Sequence, residues 1–313
     1  MRILVTGGVG YVGRALVERL ARETTAELHV LDNLASGEHR MRGLDLARVG
    51  LHRVDLRDSE SVAGLMRNLA PERIFHLAAV HYIPACEASP GDAIAINVAG
   101  TVNLLRSAVN RPRFVFASTA AVYSPSNQSH VEGSDGIGPV DIYGLTKLQA
   151  ERYVQYFHEL GRVDAVVVRL FNVVGPGETN PHLVPAIIRQ ISRGEQTVKL
   201  GNLFPRRDYI HVGDAAEGFM RLADVPSQSQ ALLVSNLGTG RSHAVRDVVQ
   251  TIAEVAGTRL HIIEDPARVR ANDRPVLCAS TERLHTLTGW RPGTDLVDSL
   301  RAAWNSRESD GFI

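Results

Sequence analysis

Cysteine, lysine and tryptophan are the scarce residues of this 313-residue chain, with two of each. Cys86 and Cys278 stand alone, without a CxxC pair or a Cys/His cluster. That excludes a disulfide scaffold, and no metal site is expected. Charge of one sign is also lacking: Lys+Arg and Asp+Glu are 34 each. A neutral chain has no general electrostatic footprint for nucleic acid or an anionic membrane, so neither is expected as a partner. No run of about 18 apolar residues occurs, and no apolar leader follows the opening arginine. A reducing, cytoplasmic compartment is the expectation.

What is present has order. Short apolar runs at 3–7, 27–32, 52–56, 73–79, 113–119 and 163–171 alternate with helical stretches at 12–22, 59–69, 92–110 and 141–160. This alternation predicts an α/β fold with a doubly wound parallel sheet. The turn-rich segment 175–182 marks a boundary. Beyond it the pattern gives helices at 183–193, 213–223, 244–255 and 295–304, with strands at 197–200, 208–211, 232–236 and 260–263. Residues 1–172 are expected to form a Rossmann domain. Residues 173–313 would form a smaller, interleaved α/β substrate-binding subdomain, with elements near 208–238 returning to the first.

Residues 6–13 read TGGVGYVG, directly after the first expected strand. Gly8, Gly10 and Gly13 fit G-x-G-x-x-G, which permits a tight turn and close approach of backbone to a pyrophosphate at a helix N-terminus. Asp32 ends the second strand 19 residues after Gly13. A carboxylate there accepts hydrogen bonds from ribose hydroxyls and repels a 2′-phosphate, which favours NAD over NADP. Asp55 follows the third strand, within reach of an adenine ring. The HLAA segment, 76–79, puts small residues where a cofactor can lie against backbone.

Tyr143 and Lys147 are spaced i, i+4, which places a phenol and an ammonium on one helix face. A free phenol has a pKa near 10, and a neighbouring cation is expected to lower it. The other 32 basic residues besides the two lysines are arginines, so a lysine at 147 is not a generic cation. Arginine's rigid fork would not serve as a compact donor to both a ribose and a phenol. Ser118 and Thr119 close an expected strand at its carboxyl end, where doubly wound sheets bind ligands.

Together these segments resemble the extended short-chain dehydrogenase/reductases, specifically the NAD-dependent nucleotide-sugar epimerases and dehydratases, over nearly the whole chain. The resemblance implies Tyr143 as the acid/base, Lys147 as its partner and ribose ligand, Thr119 as the substrate-side hydroxyl and Ser118 beside it. For the cofactor it implies Gly7, Gly8, Gly10, Tyr11, Val12, Gly13, Asp32, Asn33, Asp55, Leu56, Leu77, Ala78, Ala79, His81 and Leu170. Asn97 joins them from AINVAGT, which is similar to the family's NVxGT segment. RLFNVVGPG (169–177) and RRDYIHVGD (206–214) also match, and imply Asn172 and Arg207 at the substrate diphosphate; Leu183 and Leu200 are expected to contact the substrate as well. Arg270 and Asp273 resemble a late arginine/acid pair that holds phosphate and nucleotide ribose.

Relatives that dehydrate or decarboxylate the sugar carry acids just after the active-site Thr. Here those positions are Ala120 and Ala121. Without that carboxylate elimination lacks its acid and base, whereas oxidation and reduction at C4 need neither. The expectation is therefore a 4-epimerase with bound NAD, a UDP-hexose first. The stretch 265–292 looks more like GDP-sugar dehydratases and 4-keto-sugar reductases, which keeps a GDP- or UDP-4-keto-sugar reductase as the alternative. A non-catalytic NAD(P)-sensing protein is the alternative of a different class. Val98, Val102, Leu105 and Val109 form an apolar stripe that fits the two-fold helix interface of relatives, so a homodimer is expected.

Overall fold

A computed structural model describes residues 1–35, 48–133, 136–178, 180–227, 231–266 and 274–311. Seven strands build the main sheet: β1 (Arg2–Thr6), β2 (Glu27–Asp32), β3 (Val49–Arg53), β4 (Arg73–His76), β5 (Arg113–Thr119), β6 (Asp164–Leu170) and β10 (Leu233–Leu237). Their order is β10-β6-β5-β4-β1-β2-β3, and every pairing is parallel. The order reverses between β1 and β4, so the crevice outside their carboxyl ends is the switch point at which such sheets take ligands. Both faces are covered. On one, α1 (Tyr11–Glu23) and α8 (Val212–Ala223) bury Leu16, Val17, Leu20, Phe219 and Leu222 against Val5, Val115 and Val166. On the other, α2 (Ser59–Leu69), α5 (Gly100–Arg106) and α6 (Ile142–Glu159) pack Met66, Leu104 and Val154 over Leu4, Phe114 and Val167.

A second core lies over α7 (Leu183–Ser192), α9 (Val245–Val255) and α11 (Leu296–Asn305), around Ile187, Val248, Ile252 and Leu300. Its strands are β7 (Asn172–Val174), β8 (Thr197–Leu200), β9 (Arg206–His211), β11 (Ser242–Ala244), β12 (His261–Glu264) and β13 (Val276–Leu277). β9 pairs with β7, β11 and β13, and β8 pairs with β12. The chain returns to the main sheet through α8 and β10, and α10 (Glu282–Thr288) adds Leu284 to the first core.

Several expectations are corrected. The strand expected at 52–56 is Val49–Arg53: pairing to β2 runs from Leu28 to Asp32 and ends where Asp32 does. Val54 and Leu56 are apolar because they pack on the core from the loop that follows. The helix expected over 92–110 is broken into α4 (Pro90–Ile94), a π-helical turn Ala95–Ala99 and α5. Such π turns often mark functional sites, and this one carries Asn97. The stripe Val98, Val102, Leu105 and Val109 is not an outer surface, since Val98 and Leu105 are buried within the subunit. The large apolar side chains exposed in this region are Ile94 on α4 and Leu145, Tyr153, Tyr156 and Leu160 on and just after α6. The short helix α10 was not foreseen.

Candidate active site

A cavity of about 920 Å³ opens over the carboxyl ends of β1, β4, β5 and β6 and runs into the second lobe. Gly7, Gly10, Tyr11, Val12 and Gly13 line one end. Gly7 has φ +69°, and a Cβ there would fall 2.7 Å from the backbone of Ala78. A Cβ at Gly13 would fall 2.0 Å from the Gly7 carbonyl oxygen, so the turn closes only with glycine. Gly8 does not line the cavity; it faces Val30 and Val17 and lets α1 lie on the sheet.

Asp32 lines the cavity from the end of β2, and its carboxylate accepts from Val9 N–H (3.1 Å) and Leu34 N–H (2.8 Å). It therefore holds the glycine turn at the edge of the cavity. Asn33 Nδ2 donates to Asp55 (3.2 Å), and Arg57 pairs with Asp55 at 2.8 Å. Hydrogen bonds from Arg57 hold the Asp55 carboxyl well below the usual carboxylate range. Leu56 lines the same end.

After β4, Leu77, Ala78, Ala79 and His81 line the floor. His76 fixes this strand end: its Nδ1 lies 2.6 Å from Thr6 Oγ1 and its Nε2 2.8 Å from Thr101 Oγ1. Thr101 donates onward to the Asn97 carbonyl, so Nε2 carries the ring proton and Nδ1 accepts. Burial, with the Lys147 charge, drops His76 to about 3 and keeps it neutral. Asn97, expected at the cofactor, is buried away from the cavity. Its side chain accepts from Val80 N–H (2.8 Å), donates to Val80 C=O (2.9 Å) and bonds Thr146 (3.0 Å). It clamps the loop after β4 to α6.

The reacting groups meet at the end of β5 and the first turns of α6. Thr119 Oγ1 accepts from Ala121 N–H (3.1 Å) and hydrogen-bonds Tyr143. The Thr119 bond favours the ionised phenol, as a hydroxyl donating toward the phenol oxygen does. Burial pushes Tyr143 above its ordinary value, opposite to the sequence expectation, and the Thr119 bond opposes that shift. Lys147, expected to lower the phenol, is not among the groups that shift it, and burial penalises the ammonium's own charge. It is 2% exposed, lies 4.4 Å from the Phe116 ring centroid, and is lowered to about 7 by burial, with Glu151 opposing. No hydrogen bond to its ammonium is found among the described residues.

Ser118 lines the cavity, but its hydroxyl is committed to Glu151. Glu151 forms a buried two-point pair with Arg169 at 3.0 and 2.8 Å, and Arg169 bonds the Tyr123 hydroxyl at 3.1 Å. Leu170, Asn172, Leu183, Leu200 and Arg207 line the remainder, toward the second lobe. Arg207 donates to the Arg274 carbonyl at 2.8 Å. Arg270 and Asp273 lie outside the described residues. Arg274, which sequence reasoning missed, ties the lobes together. Its guanidinium bonds Asp141 (2.9 Å) and the Ala121 carbonyl (3.0 Å), while Asp141 caps α6 at Gly144 N–H (2.7 Å). Nothing in the sequence pairs Arg274 with Asp141 across that distance. Glu178 and His182 also line the cavity, inside a segment whose composition reads only as a turn.

This geometry agrees with what the chain resembles. Residues 3–238 match the NAD dependent epimerase/dehydratase family, and the chain belongs to it. It is 32% identical to a UDP-glucose 4-epimerase of Streptomyces lividans, covering 98% of this chain and 96% of that one. It is 30% identical to a GDP-6-deoxy-D-mannose reductase of Pseudomonas aeruginosa, covering 98% of each. Among solved structures, the UDP-glucose 4-epimerase of Thermus thermophilus in complex with NAD superposes with a TM-score of 0.85 at 30% identity, over 98% of this chain and 99% of that one. The family is NAD dependent, and NAD is the cofactor of this chain. The residues fit it: a turn closed by Gly7 and Gly13, a carboxylate at the end of β2, and a buried ammonium facing the cavity without a hydrogen-bond partner among the described residues. No helix of the described residues is long and apolar enough to cross a membrane.

Proposed function

We propose that the chain is a nucleotide-sugar 4-epimerase, with a UDP-hexose as its substrate. One observation carries the reading: the Thr119–Tyr143 pair faces a cavity in which Ala120 and Ala121 stand where an eliminating enzyme needs an acid. NAD, when bound, supplies a hydride acceptor that returns the hydride to the other face of the same carbon. Tyr143 takes the proton of the 4-hydroxyl and gives it back. Thr119 holds that hydroxyl oxygen against the phenol. Lys147 binds the nicotinamide ribose, and its ammonium stabilises the phenolate once the ribose hydroxyls solvate its charge. Gly10, Gly13 and Asp32 hold the rest of the cofactor. Asn172 and Arg207 take the diphosphate, the fork of Arg207 being held by the Arg274 carbonyl.

The test mixes purified protein, without added cofactor, with a panel of UDP- and GDP-sugars and resolves the products by chromatography. Interconversion of a pair differing at C4 is the expected result and names the nucleotide. A second reading, reduction of a 4-keto sugar, is favoured by the end-to-end similarity to the GDP-6-deoxy-D-mannose reductase. Turnover only when NADH or NADPH and a 4-keto sugar are supplied would move the protein there.

A further inference from the structure

The buried Lys147 ammonium has no hydrogen bond among the described residues, so a group that holds its charge acts from beyond hydrogen-bond range. Burial alone favours the neutral amine, which cannot stabilise a phenolate. Glu151 is buried one helical turn on, at i+4 in α6, and so shares a face with Lys147. Phe116, whose ring lies under the ammonium, and Ser118, which donates to Glu151, share one face of β5 two residues apart. Lys147 and Glu151 therefore lie side by side over one strip of the sheet. Both Glu151 oxygens are occupied: Oε1 by Ser118 and Arg169 Nε, Oε2 by Arg169 Nη2. The carboxylate is fixed in place and cannot swing onto Lys147. Arg169 is fixed in turn by Tyr123, whose hydroxyl donates to Asn236 Oδ1 at 2.7 Å. The other titratable groups around Lys147 are Cys86 on α3 (Ile83–Ala88), His76 on β4, His81 in the loop after it, and Tyr143 on α6. Burial lowers both imidazoles and raises the thiol and the phenol, so none of the four carries a charge at neutral pH. Glu151 is the largest of the charges that oppose the effect of burial on Lys147.

We propose that Glu151 is a positioning residue for the reaction at C4: fixed by Ser118 and Arg169, its carboxylate keeps the proton on Lys147, and through that ammonium it supports the Tyr143 phenolate. The role rests on the reading of Tyr143 and Lys147 given above. The Ser118–Glu151–Arg169 link then does more than tie β5, α6 and β6 together. It sets the pH above which the lysine stops being a cation, and with it the upper edge of the activity range. Arg169 limits the effect, because its guanidinium compensates part of the Glu151 charge. Without Arg169 the bare carboxylate would hold the Lys147 proton more tightly. Without Glu151 the guanidinium would remain and the proton would leave sooner.

The chain has only two lysines, so 13C-lysine labelling gives two Cε signals, and Lys199→Arg identifies that of Lys147. Following this signal against pH in NAD-bound protein titrates the ammonium directly, with no sugar present. Glu151→Gln is expected to move the Lys147 midpoint down by about one pH unit or more, and Arg169→Met to move it up. Glu151→Leu combined with Arg169→Met removes both charges, leaves no unpaired ion in the core and serves if the single variants do not fold; its midpoint also falls. The alkaline limb of C4 interconversion should follow the midpoint, whereas a merely structural link would lower the rate by one factor at every pH. A midpoint unchanged in Glu151→Gln or in the double variant overturns the assignment, as does displacement in the same direction by Glu151→Gln and Arg169→Met. A panel without C4 interconversion removes the epimerase reading, while the titration still decides whether Glu151 holds the Lys147 proton.

Discussion

Ser118 donates a hydrogen bond from its hydroxyl to Glu151, while the next residue, Thr119, hydrogen-bonds Tyr143. Two adjacent hydroxyls at one strand end thus do different work. Thr119→Val should lower kcat about a hundredfold or more, because the phenol loses its partner and the substrate oxygen its holder. Ser118→Ala should keep most of its turnover and lose about 1 kcal/mol of stability, because a buried carboxylate loses one donor. Steady-state rates and denaturant unfolding separate the two. Equal loss of turnover in both variants would mean that Ser118 leaves Glu151 to serve the substrate.

Lys147 makes stability depend on pH in a direction that can be worked out. Burial lowers it to about 7 from an ordinary value near 10.5. Between those values the unfolded chain binds a proton that the folded protein does not, so stability rises as pH is raised across that window. It levels off above the ordinary lysine value, and its cost is fully present below about 7. Tyr143, held above its ordinary value by burial, adds the opposite slope above about 10. Burial also raises the Cys86 thiol from its ordinary value near 9 to about 11, which adds an opposing slope from about 9 upward. Protein stripped of NAD should therefore show Tm rising from neutral toward pH 9. Lys147→Met should flatten that rise. A wild-type Tm that falls steadily over the same range would contradict it.

What the sequence makes legible is whatever has a local period or a local turn. Apolar runs and helical spacing give the parallel sheet and its helices, and TGGVGYVG gives the turn that Gly7 and Gly13 close. Tyr143 and Lys147 are legible because i, i+4 spacing puts them together without knowledge of the fold. Groups joined across long separations are not. Ser118 meets Glu151 and Arg169 only when β5, α6 and β6 lie side by side, so a hydroxyl in a catalytic-looking segment proves to be a buried link. Asn97 reads as a cofactor ligand in its motif, yet a π turn in the helix rotates it onto Val80. The apolar stripe through Val98 and Leu105 has the right period for an interface and the same period as a core face. Only packing against the sheet decides between them.

That decision leaves the helix that carries Tyr143, α6, as the apolar side available to a homodimer. With Val98 and Leu105 used inside the subunit, the exposed apolar groups of this region are Ile94, Leu145, Tyr153, Tyr156 and Leu160. Tyr156 is 55% and Leu160 56% exposed, at the end of α6 and just beyond it. Tyr156 also lies edge-on to Phe157 at 5.7 Å, which holds its ring in place at low further entropy cost. Aromatic and aliphatic side chains gathered on one surface favour burial against a second copy. Light scattering should show a dimer at micromolar concentration. Tyr156→Arg with Leu160→Glu should shift it to monomer while the thermal transition of the subunit persists, since neither side chain belongs to a core cluster. A wild-type monomer, or a dimer indifferent to both charges, would move the interface elsewhere.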